Sequence, residues 1–270
     1  MTTSSLRIVF IGGGNMATAM VRGLAALPAK PTLVVSEPDP AKHGAFQALG
    51  ASTTTDNRAA IAGADVVVLA IKPQMAATVV PDLASAWPAG ATLVSILAGT
   101  PSRKLEAWLP TGARVVRAMP NTPLAIGLGM VGLCAGSAAG DADLARAEGL
   151  FAPCGKVLRV ADESRMDAIT AVSGSGPAYF FRVAEALVEA AERLGFTRDE
   201  AILLVGQTGA GSWQYLQQSG FEAAKLRQQV TSPGGTTAAA LNVLEQADFT
   251  GLWVKALQAA EARGQELGRG

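Results

Sequence analysis

Three small residues directly after the first apolar run of the chain have the spacing of a dinucleotide-binding turn. Gly12, Gly14 and Ala17 fit the pattern GxGxxG/A, and a helical pattern begins at Asn15 and Met16. The first glycine allows a tight turn, the second lets the backbone approach a pyrophosphate, and the third small residue lets the helix pack closely on the sheet. The helix N-terminus then offers free N–H groups to the phosphates. We predict that these five residues bind a dinucleotide.

The end of the second predicted strand indicates which dinucleotide is used. An acidic side chain at this point binds the ribose 2′-hydroxyl of NAD and repels the 2′-phosphate of NADP. Ser36 occupies this position, which favours NADPH. Glu37 follows directly, so a strand that ended one residue later would reverse the preference towards NADH. Lys42 and His43 are near enough in sequence to approach a phosphate, although His43 is expected on an exposed helix face.

Loops after three further strands are expected to complete the cofactor site. Ligands of open parallel sheets bind beyond the carboxyl ends of the strands, where these loops begin. The loop at residues 119–123 is bracketed by two prolines and is therefore stiff, which suits a wall beside the nicotinamide. The residues predicted to line the cofactor in these loops are Ala70, Lys72, Pro73, Ala98, Gly99 and Asn121.

Two segments in the C-terminal half combine helix-breaking residues with hydroxyl groups. Residues 173–177 read Ser-Gly-Ser-Gly-Pro, and residues 230–237 read Val-Thr-Ser-Pro-Gly-Gly-Thr-Thr. Helix capping uses about one hydroxyl residue per helix, and this density exceeds that need. Free backbone N–H groups at a helix start can hold a carboxylate. The residues predicted to bind a substrate are Ser173, Ser232, Gly234, Gly235, Thr236 and Thr237.

The elements that must position these residues fall into two classes. Strands are predicted at residues 6–11, 32–36, 64–71, 91–97 and 113–118, with 130–134 and 157–160 extending the same sheet. Apolar strands separated by helices indicate a parallel sheet covered on both faces. Helices are predicted at residues 164–172, 177–194, 198–219, 221–230, 237–246 and 249–267. We therefore predict an α/β Rossmann-type N-terminal domain, residues 1–161, followed by an all-helical C-terminal domain, residues 162–270.

Composition narrows the class of protein. The 270 residues carry no net charge and no basic run, so no nucleic-acid partner is expected. No apolar stretch approaches the roughly 20 residues of a membrane helix, so no membrane partner is expected either. Two cysteines and one histidine argue against a disulfide framework and a metal site, and favour the cytoplasm. Residues 180–188 and 202–205 are apolar around much of their helices, which favours burial against a second subunit.

The chain resembles the pyrroline-5-carboxylate reductases in five motifs that occur in the family's order. They lie at residues 11–17, 70–73, 117–123, 172–179 and 230–237, and Ser-Gly-Ser-Gly-Pro-Ala-Tyr and Ser-Pro-Gly-Gly-Thr-Thr are the most specific segments. The resemblance implies a Rossmann domain joined to a helical dimerisation domain, NADPH as hydride donor with NADH possible, and a homodimer or higher homo-oligomer. It implies 1-pyrroline-5-carboxylate as substrate and proline as product.

The resemblance also assigns roles to single residues. It implies that residues 232–237 form the substrate loop, with Thr237 as the catalytic proton donor or the partner of the imine nitrogen, and it adds Asn57 to the cofactor residues. The chain departs from the family at residues 218–222, where Glu-x-His-Pro is common, and at Gln228, where Asp is usual. These departures argue against a set of acidic residues that covers the bound substrate, and they leave the substrate loop itself unchanged.

The lack of a strong proton donor in the predicted substrate loop agrees with an imine substrate. Carbonyl reduction leaves an alkoxide and usually needs a His or Lys donor, whereas an iminium is already electrophilic. The loop has neither residue, although Lys225 is not far in sequence. A β-hydroxyacid dehydrogenase is the main competing hypothesis, but its catalytic lysine corresponds to Phe180 here. A non-catalytic NADP-binding sensor is a third hypothesis, and a six-membered cyclic imine acid is a second candidate substrate.

Overall fold

The computed structural model describes residues 6–269 of the chain. They form two compact units. The first runs to Pro177 and takes up the chain again from Ala259, and the second comprises Ala178–Gln258. The domain boundary predicted after residue 161 stays a prediction.

The first unit is built on one eight-stranded sheet. The strands are β1 Arg7–Ile11, β2 Thr32–Ser36, β3 Ser52–Thr54, β4 Val66–Leu69, β5 Thr92–Ser95, β6 Arg114–Pro120, β7 Gly129–Ala135 and β8 Gly155–Arg159. Their order is β3-β2-β1-β4-β5-β6-β7-β8. The order reverses at β1, because β2 and β4 lie on its two sides, and Ile11 pairs with both Ser36 and Leu69. Such a switch point opens a crevice at the carboxyl ends of the strands.

Helices cover both faces of this sheet and form the second unit. The α-helices are α1 Asn15–Ala25, α2 His43–Gln47, α3 Asn57–Ile61, α4 Ala76–Ala84, α5 Ser102–Glu106, α6 Asp141–Phe151, α7 Arg165–Ile169, α8 Gly176–Arg193, α9 Arg198–Gln218, α10 Ala223–Gln229, α11 Thr236–Gln246 and α12 Phe249–Arg269. Short 3-10 helices precede α2 and α4 and follow β6, and a π-helical turn at Thr170–Gly174 follows α7. The predicted α/β Rossmann-type half with a helical C-terminal half is confirmed.

Successive side chains of β1 point to opposite faces of the sheet, so this one strand contributes to the apolar core on each face. Ile8 and Phe10 belong to the apolar core that includes α1, whereas Val9 and Ile11 belong to the core on the opposite face of the sheet. All four side chains are fully buried, as expected for a central strand with both faces covered. Burial of each such side chain contributes about 1.5–3 kcal/mol to the stability of the fold. The strand β1 is therefore a firm support for the glycine turn that follows it.

Two features of the first unit differ from the sequence-based description. The prediction did not include β3, α3 or α6, because β3 and α3 are short and α6 is only weakly amphipathic. The sheet is also not fully parallel, since β6 and β7 pair antiparallel with Ala118 opposite Leu133. A short connection after β6 can only return the chain in the antiparallel direction.

The second unit consists of helices with many exposed apolar side chains. Aromatic pairs join its helices: the ring centroids of Phe180 and Trp213 are 5.2 Å apart, and those of Trp213 and Phe221 are 5.8 Å apart. Exposed large apolar residues of this unit include Phe180, Phe181, Leu187, Ile202, Leu203, Leu204, Trp213, Tyr215, Val243, Leu244, Leu252 and Val254. Within the described part of the chain, no helix is long and apolar enough to cross a lipid bilayer.

Candidate active site

The glycine-rich turn follows β1 at the switch point of the sheet. Gly12 has φ +100°, a conformation that L side chains rarely adopt, and a Cβ placed there would lie 2.5 Å from the carbonyl oxygen of Ala70. The N–H of Gly12 donates a 2.8 Å hydrogen bond to the carbonyl oxygen of Ser36. The turn is therefore fastened to the ends of both neighbouring strands, and Ala70 forms one wall of it.

The start of α1 leaves space and hydrogen-bond donors for a phosphate group. Gly14 is the N-cap residue, is exposed, and has no heavy atom within 4 Å of where its Cβ would be. No side chain caps this helix, and the first N–H groups of a helix have no acceptor within it. Asn15 is exposed, Met16 is half-buried, and Ala17 is buried against the sheet. These residues fit a dinucleotide pyrophosphate.

Two polar side chains leave the end of β2 in opposite directions. The Ser36 hydroxyl donates a 2.7 Å hydrogen bond to Oδ1 of Asn57 at the start of α3. The Glu37 carboxylate turns the other way and accepts a 2.8 Å hydrogen bond at Oε2 from the N–H of Gly13. Because successive side chains of an extended segment alternate, Ser36 and Glu37 face different layers of the fold.

Glu37 is held by several donors at once. Its Oε1 accepts from the N–H of Asp39 at 3.1 Å and from the Lys42 ammonium at 3.2 Å, and Glu37 is only 6% exposed. Burial raises the pKa of this carboxyl, but the N–H donors of Gly13 and Asp39 and the Lys42 charge outweigh burial and hold the pKa below its ordinary value. His43, expected on an exposed face, is half-buried, and its Nε2 lies 2.8 Å from the Glu37 carbonyl oxygen.

The loops after β4 and β5 begin at the same edge of the sheet as the glycine turn. Lys72 and Pro73 are exposed at the start of a 3-10 turn. Ala98 is exposed, and Gly99 has φ +64°. A Cβ on Gly99 would lie 2.9 Å from Cβ of Leu267, so the last turn of α12 packs on this loop and supports it.

Asn121 follows β6 and uses both ends of its side-chain amide. Its Nδ2 donates to the carbonyl oxygen of Ser173 at 3.0 Å, and its Oδ1 accepts from the N–H of Met130 at 2.9 Å. Ser173 lies in the π-helical turn, and its hydroxyl donates to the carbonyl oxygen of Ile169 at 3.0 Å. Gly174 lies beside it in contact with Met119, since a Cβ there would lie 2.5 Å from Cε at the flexible end of that side chain. Asn121 and Ser173 are thus brought together.

An ion cluster around a buried arginine supports the π-helical turn, and the sequence analysis did not identify it. Arg117 on β6 is 5% exposed and its guanidinium lies 3.2 Å from both the Glu163 and the Asp167 carboxylates. Glu163 also accepts from the N–H of Ser102 at 2.8 Å and from its hydroxyl at 2.6 Å. The cluster anchors α7 to the sheet. An arginine within an apolar strand is the only signal that sequence offered for it.

The predicted substrate loop lies in the second unit, at the start of α11. Gly234 has φ +70°, and Gly235 is the N-cap residue without a side-chain cap. The N–H of Gly235 donates to the Ser232 carbonyl oxygen at 3.0 Å, which folds the loop back on itself. Thr236 begins the helix and Thr237 is its second residue, half-buried. The first N–H groups of α11 therefore lie next to two hydroxyl groups.

The departures from the family pattern lie before α10, at residues 218–222, and in the last turn of α10, at Gln228. Gly220 and Phe221 both have positive φ, +72° and +70°, in the turn that leads from α9 into α10. The Lys225 ammonium, a proton donor not far from the loop in sequence, lies 2.8 Å from the Glu222 carboxylate. Among residues 6–269, no group of three or more His, Cys, Asp or Glu side chains could hold a metal ion.

The predicted site residues form two groups. Those of the cofactor, together with Ser173, belong to the first unit and surround the carboxyl edge of its sheet, whereas residues 232–237 belong to the second unit. Their roles as ligands of a cofactor and a substrate stay predictions. The geometry provides an anion cradle at α1 and a second uncapped helix N-terminus at α11.

Comparison with known proteins shows the family. Residues 163–267 match the family model described as pyrroline-5-carboxylate reductase dimerisation, and residues 7–99 match the model described as NADP oxidoreductase, coenzyme F420-dependent. A pyrroline-5-carboxylate reductase of Pseudomonas aeruginosa is 42% identical over 98% of this chain and 97% of its own length. The chain belongs to the pyrroline-5-carboxylate reductase family. The resemblance predicted from the five motifs is confirmed.

Solved structures of pyrroline-5-carboxylate reductases share the whole fold. The enzyme of Coxiella burnetii superposes with a TM-score of 0.92 at 41% identity, covering 97% of this chain and 98% of that one. The pyrroline carboxylate reductase of Plasmodium falciparum with NADP bound superposes with a TM-score of 0.86 at 28% identity, covering 98% of this chain and 99% of that one. Both units of this chain therefore have counterparts in that family.

Proposed function

We propose that this chain reduces 1-pyrroline-5-carboxylate to proline with NADPH, the last step of proline biosynthesis. The observation that carries the proposal is the uncapped N-terminus of α11, where Gly235 leaves the first N–H groups without a side-chain acceptor and Thr237 stands beside them. A relative named pyrroline-5-carboxylate reductase over nearly the full length of the chain supports the same reaction.

The substrate carboxylate is proposed to bind at the start of α11. A helix N-terminus carries about half a positive charge and directs N–H groups outwards, so it stabilises a small carboxylate without a basic side chain. Gly234 and Gly235 leave the backbone accessible there, and Ser232 and Thr236 add hydroxyl donors. We assign the binding of the carboxylate to this loop.

Thr237 is proposed to orient the imine nitrogen or to donate the proton that it acquires. An iminium carbon is already electrophilic, so a hydroxyl group is a sufficient partner and a strong acid is not needed. Lys225 is paired with Glu222, and the position of the β-hydroxyacid dehydrogenase lysine is taken by Phe180, which cannot donate a proton. Both observations favour an imine over a ketone as the substrate.

The glycine turn and the neighbouring strand ends are proposed to hold NADPH. The α1 N-terminus and Gly14 fit its pyrophosphate, and Asn121 belongs to the loop expected beside the nicotinamide. When bound, the reduced nicotinamide supplies the hydride. The protein contributes by fixing the cofactor and the imine in a reactive arrangement.

The active assembly is proposed to be a homodimer or a higher homo-oligomer in the cytoplasm. The second unit exposes Phe181, Leu187 and Leu203 at 61%, 52% and 69%, and large exposed apolar side chains in this number favour a protein interface. Cys134 and Cys154 are free thiols, which agrees with a reducing compartment. The zero net charge supports a small-molecule partner rather than a nucleic acid.

The proposal is tested by following NADPH oxidation by the purified chain with three substrates in parallel. They are 1-pyrroline-5-carboxylate, the six-membered cyclic imine acid, and the keto acid that corresponds to a 3-hydroxy acid. We expect the five-membered imine to give the highest kcat/KM. Equal or faster oxidation with the keto acid would favour a β-hydroxyacid dehydrogenase. NADPH binding without turnover of any of them would favour a non-catalytic sensor.

A further inference from the structure

Four residues around the buried guanidinium of Arg117 connect three separate segments of the first unit. Arg117 lies on β6, and its Nη1 is 3.2 Å from Oε1 of Glu163. Its Nη2 is 3.2 Å from Oδ1 of Asp167 on α7. Glu163 in turn accepts from both the N–H and the hydroxyl of Ser102, the first residue of α5. We call these four residues the Arg117 cluster.

Each segment of the Arg117 cluster is next in sequence to a segment of the predicted site. The loop that contains Ala98 and Gly99 leads directly into α5, β6 leads into Asn121, and α7 leads into the π-helical turn with Ser173. The first three of these residues are predicted to line the cofactor, and Ser173 is predicted to bind the substrate. A displacement within the cluster therefore passes to both sides of the predicted reaction site over a few residues.

The last turns of α12 connect two of the same segments by direct packing. A Cβ added to Gly264 would lie 3.3 Å from Cβ of Asp167, and a Cβ added to Gly99 would lie 2.9 Å from Cβ of Leu267. The helix thus contacts α7 and the loop after β5 at once. Together with the two hydrogen bonds from Ser102 to Glu163, these contacts close a ring. The loop after β5 is therefore held on two sides.

We propose that Arg117 is a positioning residue for hydride transfer, which fixes the loop after β5 and the π-helical turn relative to the end of β6. This inference rests on the proposed function for its reaction, and it requires no contact between Arg117 and the cofactor or the substrate. A planar guanidinium can bond two carboxylates in a fixed geometry, whereas a lysine presents a single flexible ammonium. Hydride transfer depends on such placement, since a displacement of about 1 Å can lower a rate about a hundredfold.

Arg114 on the same strand provides a comparison with an ion pair that lies far from the site loops. It is the first residue of β6, and its Nε is 3.5 Å from Oδ1 of the buried Asp143 on α6. Both arginines thus join β6 to a carboxylate that follows in the chain, but Arg114 does so at the amino end of the strand. Loss of stability should affect variants of both arginines, whereas loss of positioning should affect only variants of Arg117.

The test compares the wild type with Arg117→Met, Arg117→Lys and Arg114→Met. Stopped flow measures the single-turnover rate constant of NADPH oxidation by 1-pyrroline-5-carboxylate for each NADPH-binding site, and calorimetric titration gives the number of sites and the dissociation constant. We expect Arg117→Met to lower the rate constant about ten- to a hundredfold. Its NADPH dissociation constant should change by less than about threefold, because the pyrophosphate is proposed to bind at α1.

The other two substitutions give graded and matched comparisons. Arg117→Lys keeps the charge and loses the planar fork, so its rate constant should lie between those of Arg117→Met and the wild type. Arg114→Met should lower the melting temperature as much as Arg117→Met does and leave the rate constant at the wild-type value.

Hydrogen exchange of the chain without cofactor supplies a readout that does not depend on turnover. Arg117→Met should speed exchange of the backbone amides in residues 98–103 and 167–176, and Arg114→Met should leave both segments at the wild-type rate. Ser102→Ala removes one hydroxyl from the Arg117 cluster and replaces Arg117→Met if that variant does not fold. It should speed exchange in the same two segments and lower the rate constant to a smaller extent.

A rate constant of the wild-type size in Arg117→Met, with all sites occupied by NADPH, would overturn the proposal. An equally large fall in Arg114→Met would also overturn it, because the rate would then follow stability alone. If the wild type reduces none of the three candidate substrates, the proposed function fails, and hydrogen exchange decides the role of Arg117. Faster exchange confined to the two segments would then support the positioning role, and unchanged exchange would contradict it.

Discussion

The side-chain amide of Asn121 donates a 3.0 Å hydrogen bond to the backbone carbonyl of Ser173, which is 52 residues further along the chain. The same amide accepts from Met130 at 2.9 Å, so it cannot rotate without losing a bond. The loop after β6 and the π-helical turn are thereby fixed to each other, and π-helical turns are frequent at functional sites. Asn121 is a positioning residue as well as a predicted neighbour of the cofactor.

Asn121→Ala should lower both stability and catalysis. The variant leaves the Ser173 carbonyl and the Met130 N–H, both on half-buried residues, without this partner, which costs up to about 1–3 kcal/mol in the free energy of unfolding. We expect kcat to fall as the π-helical turn loosens. Urea denaturation and steady-state kinetics measure both effects. Gln47→Ala removes an exposed side-chain amide bonded to Thr53 and should change neither by much. Equal effects of the two substitutions would contradict the positioning role.

Gly12 and Gly14 should respond differently to alanine. Gly12→Ala forces a side chain onto φ +100° and against the Ala70 carbonyl, so we expect a loss of at least about 1–3 kcal/mol in the free energy of unfolding. Gly14→Ala meets open space within the protein and should cost about 1 kcal/mol or less. Its methyl group nevertheless occupies the cradle, and NADPH affinity should fall at least about tenfold.

Thermal unfolding and calorimetric titration with NADPH distinguish the two glycine variants. The informative result is Gly14→Ala, because a stable protein with weak NADPH binding can only mean that the cradle has been filled. Undiminished NADPH affinity in that variant would contradict the proposal that the pyrophosphate binds at the α1 N-terminus.

Thr237→Ala should lower turnover of 1-pyrroline-5-carboxylate by about ten- to a thousandfold if its hydroxyl orients or protonates the imine nitrogen. Thr237→Ser keeps a hydroxyl group and should recover most of kcat, which separates catalysis from helix packing. NADPH affinity, measured by titration, is expected to stay constant in both variants. A rate for Thr237→Ala equal to that of the wild type would leave this hydroxyl without a chemical role.

Leu203→Asp should dissociate the proposed homo-oligomer. Leu203 lies on α9 with 69% of its surface exposed, so a charge there perturbs an interface more than it perturbs the chain's own core. Sedimentation velocity should show a smaller species, and circular dichroism should show unchanged helix content. Leu158→Asp places the same charge on exposed β8 of the first unit as a control. An unaltered sedimentation coefficient for Leu203→Asp would place the interface elsewhere.

Glu37 should contribute to the dependence of stability on pH. Its carboxyl has a pKa below the ordinary value, because the donors from Gly13, Asp39 and Lys42 outweigh the opposing effect of burial. A depressed folded-state pKa stabilises the fold above the unfolded-state pKa, and this contribution disappears as pH falls through the folded-state pKa.

We therefore expect the difference in free energy of unfolding between the wild type and Glu37→Gln to be largest near neutral pH. It should shrink as the pH falls below the ordinary pKa of a glutamate and through the lower folded-state pKa. Chemical denaturation at a series of pH values measures this difference, with Glu148→Gln as the surface control. A difference that does not vary with pH would show that the Glu37 contacts are not sensitive to its charge.

Much of this site could be predicted from local sequence because its proposed binding chemistry depends on backbone N–H groups. A glycine turn after an apolar strand, or a Gly-Gly-Thr-Thr helix start, owes its function to neighbouring N–H groups, and these are set within a few residues. Gly12, Gly14, Gly235 and Thr237 were identified in this way, and the structure places each of them at a helix N-terminus or in the turn before it.

Sequence by itself determined the α/β and the all-helical half of the chain, the glycine turn after the first strand, and the family. It could do so because hydrophobic periodicity and glycine spacing are local properties. Only the tertiary structure decided which side chain at the end of β2 faces the glycine turn, since one residue of register exchanges Ser36 for Glu37. It alone joined Asn121 to Ser173 and Arg117 to Glu163. These partners are distant in sequence, and their contacts depend on how strands and helices pack, which no local pattern records.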